Sequence, residues 1–185
     1  MNNILEVIKK RRSVRMFKPD KVKKEDLEIV VEAALYAPSA RNLQPWHFTV
    51  ITDEKLINEI SSLAKAAMTA DKNSSYQQRA AETNFHVFYH APAVIIVSGE
   101  ESSPWAQADC AAAMQNILLA AEALGLGACW VNLFLFAFRG EGGEALPGRL
   151  GIPEGYRPLY SAALGYKAQD NLPVPPKKKD CITYL

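Results

Sequence analysis

Segments with apolar residues at helical spacing alternate along this chain with short β-branched runs, which predicts an α+β fold. The runs lie at 47–51, 93–98, 128–133 and 159–164, enough for one sheet, and nothing in the chain repeats. A third observation bounds the domain. From Gly165 the composition shifts to lysine, proline and polar residues, and Pro173, Pro175 and Pro176 exclude a helix interior or central strand there. A length of 185 residues suits one sizeable core and is short for two, so residues 1–185 read as a single domain.

The elements follow in order. Ile4, Leu5 and Ile8 share the face of a first helix over 3–12, which Asn2 or Asn3 can cap. Polar residues 18–24 turn the chain into a second helix, with Leu27, Val30, Val31 and Ala34 at helical spacing and Pro38 at its end. A loop over 38–44 precedes the strand His47–Ile51. Thr52 or Asp53 caps a third helix carrying Leu56, Ile57, Ile60, Leu63 and Ala67. Polar residues 69–84 form an excursion, with room for a short helix or a lid.

Ala93–Ser98 is apolar throughout and reads as a buried central strand. Ser103-Pro104 opens the longest helix, which runs to Gly125. Its many alanines suit both high helix propensity and close packing on several sides. After Gly125-Leu126-Gly127 comes the strand 128–133, then an apolar stretch 134–138 and a short helix within 141–150. A turn at 151–156 leads into the last strand, Leu159–Leu164. The tail ends in apolar Ile182-Thr183-Tyr184-Leu185, so both termini look built for contact.

Composition removes several functions. With 21 basic against 20 acidic residues the net charge is +1, which gives no electrostatic case for nucleic acid or a membrane surface. No window approaches a membrane span, and residues 1–13 lack the apolar run of a secretion signal. Cys110, Cys129 and Cys181 have neither disulfide-framework nor metal spacing, so a reducing cytoplasmic setting is expected. His86 and His90 stand four apart, but no acidic ligand accompanies them and no metal is expected.

Four stretches carry chemistry. Arg11-Arg12-Ser13-Val14-Arg15 packs three guanidinium groups and a hydroxyl into five residues. Alone it reads as a solvated helix end, where cations meet the C-terminal dipole; given an anion, its donor forks suit phosphate. Pro38-Ser39-Ala40-Arg41-Asn42-Leu43-Gln44-Pro45-Trp46 is stiffened by proline and offers polar donors beside an indole, as a flat heteroaromatic ligand requires. Gly127–Leu133 has small residues that let a ring approach the backbone, and Lys177-Lys178-Lys179 is a late basic run.

Taken together with Ala91–Val97, Gly125–Trp130 and the Pro-Glu-Gly-Tyr … Leu-Gly-Tyr pattern of 153–166, these motifs resemble the nitroreductase family of FMN-dependent oxidoreductases, in family order and over nearly the whole chain. The resemblance implies a central, mostly antiparallel sheet flanked by helices, an intertwined homodimer with FMN at the subunit interface, and a C-terminal extension (about 166–185) packed on the partner. It implies that Arg11, Arg12, Ser13 and Arg15 hold the FMN phosphate and ribityl chain, with Lys177 or Lys178 joining them. Pro38, Ser39, Ala40 and Asn42 would cover the isoalloxazine ring from the partner, and Asn84 would meet its pyrimidine edge. Trp130, Val131, Asn132 and Leu133 would lie against the ring, with a backbone amide near N5.

Two departures touch the flavin. Val87 stands where some members carry lysine, so charge near flavin N1 and O2 must come from elsewhere, and Asn132-Leu133 replaces Glu-Gly. The implied activity is hydride transfer from NAD(P)H to flavin N5, then electron transfer to a nitroaromatic, quinone or similar small-molecule acceptor by a ping-pong mechanism. The flavin carries the chemistry and no side chain is assigned as catalytic. A dehalogenase, enoate or heterocycle branch, or a non-catalytic flavin carrier, are the alternatives.

Overall fold

The computed structural model describes residues 3–169 and 172–185, the side chain of Asn3 aside. Asn2 lies outside the described residues, and Asn3 is the first residue of the first helix rather than its cap. The helices are α1 (Asn3–Lys10), α2 (Lys24–Leu35), α3 (Glu54–Thr69), α4 (Ser74–Ala80), α5 (Ala106–Ala123) and α6 (Leu146–Arg149). The strands are β1 (Trp46–Ile51), β2 (Ala93–Glu100), β3 (Leu126–Val131) and β4 (Tyr156–Tyr166). They form one sheet in the order β1-β2-β4-β3, antiparallel at every pairing.

The first five residues of β2, Ala93 to Val97, are all apolar because helices cover both sheet faces. Its Ala93, Ile95 and Val97 enter a core with Leu27, Val30, Met114 and Ile117. Val94 and Ile96 enter the opposite core with Ile57, Ile60, Met68, Phe88 and Phe134. A period of two thus serves two layers at once.

Helix α5 packs on α1, α2 and the sheet, with Ala106, Cys110, Ala113 and Ala121 buried, so its alanines serve close approach. It starts later than the Ser103-Pro104 signal suggests. Trp105 occupies the cap position without a side-chain cap bond, while Ser103 Oγ accepts the Trp105 N–H at 3.4 Å and shapes the entry turn. The helix expected within 141–150 is only α6, because the preceding turn contains Gly142 at φ +83°. Residues Leu133–Phe138 form a tight 3-10 helix on α3. The 69–84 excursion contains α4, capped by the Asn73 side chain.

The apolar face of α1 differs from expectation. Ile4, Leu5 and Ile8 are 65%, 52% and 47% exposed. Ile4 joins Val7, Tyr36 and Leu119 in lining a groove of about 440 Å³.

A tight turn joins α4 to β2. Buried His86 accepts the backbone N–H groups of Phe88 at 3.1 Å and His90 at 3.2 Å on Nδ1. Its proton therefore sits on Nε2 and is donated to Asn58 Oδ1 at 3.1 Å. Burial, reinforced by neighbouring His90, pushes the His86 pKa down to about 4. The unfolded chain takes up this proton first, near the ordinary value of about 6.5. Its contribution is thus whole above about pH 6.5, shrinks toward about pH 4, where the folded state also titrates, and is flat below. Denaturant midpoints of the protein across this range should show that decline, and His86→Gln should flatten it; parallel profiles would contradict the assignment.

Candidate functional site

Residues 11–15 leave α1 and run along the outer edge of β3. The Val14 N–H donates to the Ala128 carbonyl at 3.0 Å, and Ser13 forms a parallel bridge with Ala128. Val14 is buried, which leaves its neighbours Ser13 and Arg15 facing outward. The contact depends on Gly127, where a Cβ would lie 2.8 Å from Val14 Cγ1. A glycine inside a strand often marks such an approach.

Arg11, Arg12, Ser13 and Arg15 line a cavity of about 330 Å³ whose other wall is the tail, through Leu172, Pro173, Pro175 and Lys177. Lys178 does not line it, and its carbonyl faces Cys181 Sγ at 3.4 Å. The arginines have different engagements. Arg12 Nη1 donates to the carbonyls of Lys9 and Arg11, both at 2.7 Å, closing the C-terminus of α1. Its Nε is buried without a partner. Arg15 Nε donates to the Tyr89 hydroxyl at 3.3 Å, and that bond raises the Arg15 pKa. Among the described residues the Arg11 side chain has no hydrogen-bond or ion-pair partner. Four cationic side chains, a hydroxyl and an orphaned Nε, with no carboxylate among the described lining residues, make a lining suited to a phosphate dianion.

The loop after α2 is rigid for a different reason. Buried Asp109 on α5 accepts the Ala40 N–H with both carboxylate oxygens at 3.2 Å. Ser39 Oγ accepts the Gln44 N–H at 3.0 Å, and Gln44 Nε2 donates to Asn42 Oδ1 at 3.1 Å. These bonds hold Arg41, Asn42 and Gln44 at φ values of 53°, 55° and 50°, a left-handed conformation costly for side-chain-bearing residues. Pro38, Ser39, Ala40 and Asn42 do not line the arginine cavity of their own chain.

Asn84 is exposed in the turn after α4 and makes no hydrogen bond among the described residues. At the end of β3, Trp130 Nε1 donates to Asn132 Oδ1 at 2.8 Å, and the indole packs edge-on to Tyr160 with centroids 4.8 Å apart. Val131 is buried, its carbonyl accepting from Ser161 Oγ at 2.7 Å; Asn132 is exposed and Leu133 half-buried. Burial raises the pKa of adjacent Cys129, while the fields of Arg15 and Arg11 oppose that rise, which sets this strand end beside the cluster.

Sequence reasoning missed Asp109, Tyr89 and the apolar tail residues of the cavity wall. Asp109 carried a signal, being the one acid between Ala106 and Asn116 of an alanine-rich helix. Tyr89 carried none.

The Nitroreductase family model matches residues 8–166. A protein of Archaeoglobus fulgidus, named provisionally as an NADH dehydrogenase/NAD(P)H nitroreductase, is 34% identical over 172 residues, covering 90% of this chain and 86% of that one. The iodotyrosine deiodinase of Thermotoga neapolitana is 31% identical over 134 residues, 69% of this chain and 72% of that one. Among solved structures, a nitroreductase with bound FMN from Bacteroides fragilis superposes with a TM-score of 0.92, at 34% identity and 100% coverage of both chains.

Because Val14 and Gly127 leave no room for a methyl group, Gly127→Ala should lower stability by about 1–3 kcal/mol. The displaced 11–15 segment should also bind inorganic phosphate more weakly. Thermal denaturation and phosphate titration of the variant check both effects.

Proposed function

The chain belongs to the nitroreductase family, and on that premise we propose that it is an FMN-dependent oxidoreductase using NAD(P)H to reduce an electrophilic organic acceptor, such as a nitroaromatic or a quinone. FMN, when bound, would supply the redox chemistry at one exposed face, so the reductant and the acceptor would be expected to alternate in ping-pong order. The observation that carries this reading is the cationic cavity joining Arg11–Arg15 to Lys177, which no described carboxylate lines.

Within that reading the protein binds and orients. Arg11 and Lys177 neutralise the phosphate, Ser13 adds a hydroxyl, and Arg12 ties the site to the end of α1. Lys177 takes this place in preference to Lys178. Arg15 reaches from the phosphate cavity toward the segment that carries Asn84, which serves the pyrimidine edge. Trp130, Val131, Asn132 and Leu133 back the ring. Pro38, Ser39, Ala40 and Asn42 of the partner subunit cover it, held in shape by the left-handed loop.

The assembly is a cytoplasmic homodimer of one domain per chain. Its support is the uncovered apolar face of α1 and a tail whose Ile182, Tyr184 and Leu185 are exposed and free to pack on a partner. Among the described residues no helix is long and apolar enough to cross a membrane. The deiodinase relative supports a second reading, reductive dehalogenation of an aromatic substrate at the same site.

The purified protein should be yellow with flavin absorbance or take up added FMN. Arg11→Ala and Arg12→Ala should each weaken FMN binding by about 10- to 100-fold, the worth of one or two charge-assisted hydrogen bonds. Full flavin retention by both variants would reject the phosphate assignment. Steady-state NAD(P)H oxidation with a generic quinone should give parallel double-reciprocal lines. Turnover with a halogenated phenol and none with quinones or nitroaromatics would favour the second reading.

A further inference from the structure

Five of the described residues other than glycine have positive φ; three lie in the 39–44 loop, and the other two are Tyr89 and His90, both at 56°. Two consecutive bulky residues in the left-handed region are costly, and such strain persists only where the surroundings over-determine it. Here the surroundings do. His86 Nδ1 accepts from Phe88 and His90, the Tyr89 N–H donates to the His86 carbonyl at 2.9 Å, and the Val87 N–H donates to buried Ser61 Oγ at 3.0 Å. Asn58 and Ser61 both lie on α3, so the turn is fastened to the core of the domain.

The conformation has one evident product, the placement of the Tyr89 ring. Its hydroxyl accepts the Arg15 Nε–H at 3.3 Å, and the Arg15 guanidinium lies 5.8 Å from the ring centroid. Arg79 also interacts with Tyr89, and is itself paired with Glu82 at 2.6 and 2.7 Å and stacked 5.6 Å from the Phe85 ring. Arg79 repels Arg15, and the phenol draws both cations. Without the phenol, that repulsion and free rotation would let Arg15 leave the cavity it lines with Arg11 and Lys177.

We propose that Tyr89 is a positioning residue for the cofactor site, its strained turn holding Arg15 in the direction that FMN binding requires. The proposal rests on the FMN reading above. Tyr89 touches Arg15 and acts through it, so its effect should vanish when Arg15 no longer donates.

The test is a double-mutant cycle on FMN affinity, measured by quenching of flavin fluorescence on titration with flavin-free full-length protein. Tyr89→Phe keeps the ring and removes the acceptor; it should weaken FMN binding about five- to tenfold while leaving the unfolding midpoint of the flavin-free protein unchanged. In an Arg15→Met background, which has no side-chain donor, the same change should have no further effect. Unchanged affinity in Tyr89→Phe, independent multiplying effects in the cycle, or a midpoint falling alongside affinity would each overturn the proposal. Arg11→Ala serves as the control. If it too binds FMN normally, the phosphate reading fails and takes this proposal with it; if it alone weakens binding, only the role of Tyr89 is lost.

Discussion

The approach of Val14 to Gly127 is the contact on which the site depends. β3 is an edge strand, and an unpaired edge must be covered or paired. Here the segment after α1 covers it through one backbone hydrogen bond and one buried valine. Alternation about Val14 then turns Ser13 and Arg15 outward, and the tail closes over them with Leu172, Pro173, Pro175 and Lys177. One side chain at residue 127 would separate the layers. The basic cluster lines a cavity because an edge strand needed covering and glycine let the cover lie close.

Rigidity is spent where a ligand is expected. Both left-handed segments, Arg41–Gln44 and Tyr89–His90, are held by a buried polar side chain from outside or beside the turn: Asp109 for the first and His86 for the second. Each anchor is a group that burial disfavours when charged or unpaired, and each is satisfied by backbone N–H donors. Order in the site loops therefore comes from the core, through two polar side chains, rather than from the loops' own propensities.

Much of the architecture was legible because its signals are local. β-branched runs separated by helical periods identify the four strands, and the apolar run Ala93–Val97 marks the central one. Pro38, Gly125 and the tail prolines place boundaries through backbone chemistry. What escaped is non-local. Nothing near Ser103 shows that the helix begins at Ala106, since the turn is decided by how residues 101–105 pack. The face of Ile4, Leu5 and Ile8 reads as core by period alone, yet one chain leaves it uncovered. Tyr89 touches Arg15 across 74 positions of sequence, a pairing that no periodicity or motif encodes.

Three arginines in one motif invite a single shared role, and the structure divides them. Arg12 is committed to the carbonyls that end α1, so the helix-end reading of the cluster holds for that residue. Arg15 is committed to Tyr89 and so to the turn before β2. Arg11, whose side chain has no partner among the described residues, and Lys177, brought from the tail, remain to meet an incoming anion. A dianion can thus bind without first breaking an ion pair in the lining, which avoids one desolvation cost that buried salt bridges impose. The fixed cations set the direction of approach and the uncommitted ones supply the attraction. Anchoring and orientation are separate tasks here, and neither constrains which acceptor meets the exposed face of the cofactor.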